Sequence, residues 1–184
     1  MEFVQPIRDL KQIEAMKAIL KSKSERDYLL FVLGINTGLR ISDLLALTVG
    51  EVWQHKPAEF IEIREKKTGK SKRFILNQSA AKALKETSYL KGADLKAPLF
   101  PSRKGGAISR IQAYRVLNAA AELAGINEIG THTLRKTWAY HAYQAGTDLS
   151  LIQQVLNHSS PSVTLRYIGI TQDDIDRVYK SINL

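Results

Sequence analysis

Between Thr131 and Tyr167 the chain gathers side chains that handle phosphate. In Thr131-His132-Thr133-Leu134-Arg135 an arginine follows a histidine by three residues. If His132 opens a helix, the two side chains leave the same face, roughly 60° apart around the axis, and a phosphate fits between them. His158 comes 23 residues after Arg135, and Tyr167 nine residues after His158. Two histidines, an arginine and a tyrosine are thus gathered in one compact stretch.

These residues need elements to hold them. Apolar spacing predicts an amphipathic helix over 9–20, and Ser24 before Glu25-Arg26-Asp27 caps a more buried helix ending near Gly38. A third helix follows at once, with Ser42 as its cap, Asp43 at its positive end and Leu44, Leu45 and Leu47 on its buried side, so Arg40 sits at a helix–helix junction. From Ala58 the period changes to two: Ile61 and Ile63 share one face, Phe60, Glu62 and Arg64 the other, and 73–77 alternates again. The segment 66–70 between them supplies turn chemistry, which gives a β-hairpin with a strongly basic tip. Helices follow over about 79–90, from Ser109 to the stop at Gly125, from a Thr131 cap to Gly146, and over 149–157. Ser160-Pro161 caps one more, which puts Tyr167 near the end of about two turns. In the tail, Ile175 and Val178 mark a further helical face. The fold class is α+β, mainly α, with one small antiparallel hairpin.

Composition sets outer bounds. A length of 184 residues with 44% apolar content suits one domain with a real core. Lysine and arginine outnumber aspartate and glutamate by 27 to 18, a formal charge of +9, which is the footprint of a nucleic-acid binder. The absence of cysteine excludes disulfides and thiolate metal sites. The N-terminus carries no secretory signal pattern, and the longest apolar run, 28–35, is too short to span a bilayer. Gly69-Lys70-Ser71 imitates the end of a P-loop, but Arg64 stands where the earlier glycine belongs and the segment joins two strands. No HExxH or carboxylate cluster accompanies His132, His141 and His158 to suggest a metal. Taken singly, the candidates have plainer readings: Arg40 as a helix C-cap donor, His132 as a first-turn residue, His158 as a loop residue, the 66–72 run as a nonspecific phosphate patch. Their joint spacing is what raises them above these.

In order along the chain, Arg40, Lys67, His132, Arg135, His158 and Tyr167 resemble the catalytic set of the tyrosine recombinases, the phage-integrase family of site-specific DNA recombinases. The segment 37–47, Thr-Gly-Leu-Arg-Ile-Ser-Asp-Leu-Leu-Ala-Leu, is similar to the family's first box. His132-Thr133-Leu134-Arg135 is similar to its second, and Leu156-Asn157-His158 with Tyr167 to its C-terminal end. The resemblance implies a helical DNA breaking-rejoining domain that cleaves and rejoins strands through a 3′-phosphotyrosine link without cofactor or metal. By the same resemblance Arg40 and Arg135 neutralise the phosphate, His132 accepts the tyrosine proton, His158 donates to the phosphate, and Lys67 protonates the leaving 5′ oxygen with Lys66 and Lys70 nearby. Asp43, one helical turn after Arg40, is expected to orient it.

The expected partner is double-stranded DNA, with a tetramer on synapsed DNA, a monomer in isolation, accessory DNA-bending proteins as further partners, and a cytoplasmic, nucleoid-associated location. A chain of 184 residues leaves no room for the family's usual N-terminal core-binding domain. It therefore reads as one catalytic domain, either excised or a small single-domain member resembling the fimbrial switch recombinases. Two other functions are set against this. A catalytically silent DNA-binding relative should lack one of the six residues, and a type IB topoisomerase typically carries lysine where His132 stands.

Overall fold

Asp9 and Ser24 begin the first two helices by accepting backbone N–H bonds, from Lys11 and Asp27, that the first turn of a helix cannot satisfy. They start α1 (Leu10–Lys23) and α2 (Glu25–Thr37). In this computed structural model, residues 4–53, 55–67, 69–170 and 172–182 are described, the side chains of 172, 173, 175 and 177 excepted. The central element is α2, whose run Leu29, Leu30, Phe31, Val32 and Leu33 is wholly buried, as a helix without a polar face must be. Around it pack α1, α5 (Gln78–Glu86), α6 (Arg110–Leu123) and α7 (Thr133–Gln144). The architecture is mainly helical with one hairpin, as expected. No helix among the described residues is long and apolar enough to cross a membrane.

The third helix is shorter than its leucines suggest. α3 (Ile41–Leu44) is a single turn with Arg40 rather than Ser42 at its N-cap, and no side chain caps it. Leu47 O accepts from Leu99 N at 2.8 Å and Val49 N donates to Ala97 O at 3.0 Å, so the backbone here bonds to a distant strand-like segment instead of continuing a helix. A further turn, α4 (Val49–Val52), starts from a Thr48–Glu51 capping box.

The hairpin pairs β1 (Phe60–Arg64) with β2 (Ser71–Ile75) in antiparallel register, Ile63 opposite Lys72. Thr68 at its tip lies outside the described residues. α5 stops four residues short of Leu90: the Thr87 hydroxyl donates to Ala83 O and the chain tightens into a 3-10 turn at Ser88–Leu90. α6 has the Ser109–Gln112 capping box and ends before Gly125.

α7 begins differently from expectation. His132, in helical conformation, occupies the N-cap, and the hydroxyl facing back is that of Thr133, which accepts from Gly130 N at 3.0 Å. Thr131 is not the cap. Next come α8 (Leu149–Leu156), α9 (Pro161–Ile168) and α10 (Gln172–Ser181). Val178 on α10 is exposed, and the side chain of Ile175 lies outside the described residues.

α7 separates two apolar clusters. Leu134 belongs to the main core, while Ala139 joins Ile152, Leu156 and Ile168 in a smaller one under α8 and α9. The close approach of α7 to α2 depends on Gly34, where a Cβ would lie 2.4 Å from Leu134 Cδ1 and 3.0 Å from Leu134 Cβ. Gly34→Ala gains about 1 kcal/mol of helix propensity, but overpacking a tight contact costs about 1–3 kcal/mol. The variant is expected to be less stable by about 1 kcal/mol in urea denaturation; a gain in stability would show that the helices part without strain.

Candidate active site

Arg135 leaves α7 one residue after Leu134 and is buried, with only 3% of the residue exposed. Such burial demands partners, and two helix ends provide them. Nη1 donates to Gly38 O at 2.6 Å and Nη2 donates to Leu156 O. Both carbonyls sit at helix C-termini, where the macrodipole favours a cation. Gly38 closes α2 in left-handed conformation, φ 63°, and a Cβ there would meet the Trp138 ring at 2.9 Å, so only glycine fits this junction. Burial lowers the Arg135 pKa, yet a guanidinium keeps its proton in a protein.

Leu156 is followed by Asn157 in left-handed conformation, the C-cap of α8, which turns the chain so that His158 faces α9. Ser160, accepting from Val163 N, and Pro161 at the first helical position start α9 and carry Tyr167 to its last turn. The rings of His158 and Tyr167 meet edge to face with centroids 4.8 Å apart. His158 Nδ1 lies 3.1 Å from the Thr164 hydroxyl, which itself donates to Ser160 O at 3.5 Å. The two contacts fix the ring against the first turn of α9. Burial, then the charges of Arg135 and Arg40, pull the His158 pKa down to about 4, so its ring is neutral near pH 7.

The Tyr167 hydroxyl is buried with no well-formed hydrogen bond. Burial raises its pKa, opposed by the charge of Arg135, by a loose donor contact from the same group and by Arg40. Lys136 Nζ lies 5.3 Å from the centre of the Tyr167 ring. In this free state the phenol is therefore neutral.

Arg40 stands at the N-cap of α3 with its side chain only 18% exposed. Its close partner is not Asp43, whose carboxylate is 3.9 Å away, but Glu65, at 2.5 Å. Asp43 Oδ1 instead accepts from Lys66 N at 2.9 Å and pins the hairpin tip. Asp43 Oδ2 is buried without a hydrogen-bond partner.

Arg40, Arg135, His158 and Tyr167 are thus brought together. His132 is on the exposed N-terminus of α7. Partial burial and then the charges of Arg110, Arg135, Lys136 and Lys67 all lower its pKa, so it too is neutral near pH 7. Lys67 is exposed at the hairpin turn, close enough for its charge to reach His132 but outside the arginine cluster.

Glu65 and Lys72 were not among the candidates, although strand alternation could have found them. Glu65 continues the buried face of Ile61 and Ile63, and Lys72 shares the inner face of Phe74. Among the described residues no group of three His, Asp or Glu side chains is placed to hold a metal ion.

The family-wide sequence model for the "Phage integrase family" matches residues 8–173. A probable integrase/recombinase of Bacillus subtilis, YoeC, is 48% identical over 98% of this chain and 97% of its own length. The type 1 fimbriae regulatory protein FimE of Escherichia coli is 34% identical over 85% of this chain and 82% of its own. The chain spans about half the length of the XerC and XerD tyrosine recombinases that it also matches. In fold it is similar to the crystal structure of XerA recombinase, with TM-score 0.77 and 23% identity over 98% of this chain and 65% of that one. The chain belongs to the phage integrase family, the tyrosine-type site-specific recombinases.

Proposed function

We propose that this chain cuts and rejoins double-stranded DNA through a 3′-phosphotyrosine link made by Tyr167. The observation that carries this reading is the buried Tyr167 hydroxyl, without a well-formed hydrogen bond, on a ring that meets His158 edge to face and in the field of Arg135 and Arg40. A scissile phosphate in that field receives paired hydrogen bonds from the two guanidiniums, which offset the charge that grows in the transition state. His158 donates a hydrogen bond from a ring N–H to a non-bridging oxygen, keeping its proton. Neutral His132 takes the phenol proton as the tyrosine oxygen bonds to phosphorus. The P–O5′ bond breaks, and the leaving oxygen takes a proton from Lys67 once DNA draws the hairpin turn inward.

Religation is the reverse, so the bond energy is kept and no nucleotide cofactor is consumed. Glu65, with Asp43 behind it, keeps Arg40 oriented. Exchange between two duplexes breaks four strands, one tyrosine for each, which favours a tetramer on synapsed DNA.

Tyr167→Phe is expected to abolish the covalent protein–DNA band on a nicked suicide substrate while DNA binding persists; an undiminished band removes Tyr167 from this role. DNA bound without any band in the native chain favours a silent binding relative. Lys67→Ala should slow cleavage by about 10²–10⁴-fold, and a 5′-bridging sulfur, which leaves without a proton, should restore it.

The folded pKa of His158, about 4, lies below its ordinary 6.5. The unfolded chain therefore binds that proton more readily, and the stability this gives is fully present above about pH 6.5 and lost as pH falls toward 4. The His158 ring resonances should titrate near pH 4, and His158→Gln should flatten the stability profile between pH 6.5 and 4; a midpoint near 6.5 contradicts the burial argument.

DNA affinity of this chain alone should be weak and fall by about 10³-fold or more between 50 and 200 mM salt, as several phosphate contacts imply. Nanomolar binding indifferent to salt is the opposing result.

A further inference from the structure

The inner face of the hairpin carries a lysine where strand alternation calls for an apolar residue. Lys72 stands opposite Ile63, which is buried, and two residues before buried Phe74. Its Nζ donates to Val155 O at 3.0 Å. The next carbonyl, Leu156 O, is the one that holds Arg135, and the next two residues are the α8 cap Asn157 and His158. Two cations from different elements therefore share the last turn of α8, where carbonyls without helical partners and the negative end of the dipole receive them.

A cavity of about 280 Å³ lies between the hairpin and the end of α8, lined by Glu65, Lys72, Gln154, Val155 and Asn157 among others. Apolar packing does not fill that gap, and the Lys72 side chain crosses it.

We propose that Lys72 is a positioning residue of the strand-transfer site: its ammonium fastens the β1–β2 hairpin to the C-terminus of α8 and so keeps Arg135, His158 and the hairpin turn in register. The proposal rests on the recombinase reading given above. The role differs from that of Lys67, because the ammonium is engaged by a backbone carbonyl instead of pointing to open solvent.

The charged groups acting on Lys72 are Arg135 from α7, Arg40 and Asp43 at α3, and Glu65 at the end of β1. Burial, with Arg135 next, pulls its pKa down to about 8, while Glu65 and Asp43 hold it up. The free protein thus loses the ammonium as pH rises through about 8, and a bound phosphate, being anionic, retains it.

The test uses the full chain on nicked suicide DNA bearing either oxygen or sulfur at the 5′-bridging position. Lys72→Met is expected to form the covalent complex about 10–10²-fold more slowly on both substrates, as a slightly misplaced site does. Its DNA affinity should stay within a few-fold of the native chain, and Lys72→Arg should recover most of the rate. Rescue of Lys72→Met by sulfur would make Lys72 a proton donor and overturn the proposal, as would a native rate in Lys72→Met or an equal defect in Lys72→Arg.

A second readout needs no cleavage. The NMR resonances of the Arg135 Nε–H and the His158 ring should move in Lys72→Met and hold in Lys72→Arg, and unmoved resonances in Lys72→Met sink the idea. A native chain that gives no covalent band counts against the recombinase reading alone and leaves this readout to decide on Lys72.

Discussion

The site depends on a buried guanidinium held between two helix ends. Arg135 could not remain charged and buried unless its donors were met, because an unpaired buried charge costs several kcal/mol. Gly38 O and Leu156 O meet two of them, and each belongs to a different packing unit: Gly38 ends a helix of the main core, Leu156 lies in the smaller cluster under α8 and α9. The contact that positions the phosphate-binding arginine is therefore also the one that joins the two clusters across α7. Moving α8 by even a fraction of an ångström shifts a hydrogen bond of Arg135 and the residue next to His158 together.

Charge balance follows from that arrangement. Arg40, Arg135 and Lys72 lie within reach of one another, and Asp43 and Glu65 lie among them. Two carboxylates against three cations leave the cluster positive, which suits an anionic phosphate, yet not so positive that the cations repel one another out of register. The histidines take the neutral form in the same field, and the tyrosine keeps its proton because burial outweighs the arginines. The resting site holds a masked nucleophile beside groups able to unmask it when a phosphodiester arrives.

Much of this was legible before any fold. Ser160-Pro161 set where α9 begins and hence that Tyr167 falls in its last turn, because proline at the first helical position and a serine cap are local chemistry. The two faces of the hairpin followed from alternation, and Gly38 as a stop from its need for positive φ. Local rules failed where distant backbone competed. α3 ends after one turn because residues 47–49 bond to residues 97–99. At α7 a local alternative won: His132 takes the N-cap and the Thr133 hydroxyl, not that of Thr131, accepts from Gly130 N. Asp43 was expected to be the partner of Arg40 from its helical spacing, whereas Glu65, 25 residues on, holds the closer contact.

By itself the sequence determined which residue types are present, the order of the helices and the hairpin, and the faces that turn inward. These follow from period, capping and turn chemistry within a few residues. Only the tertiary structure decided that Glu65 meets Arg40, that Lys72 meets Val155, and that the carbonyls of Gly38 and Leu156 face one guanidinium. Those contacts join residues separated by 21 to 97 positions. Which buried polar groups meet over such separations is set by how the helices pack, a property of the whole chain that no local spacing encodes.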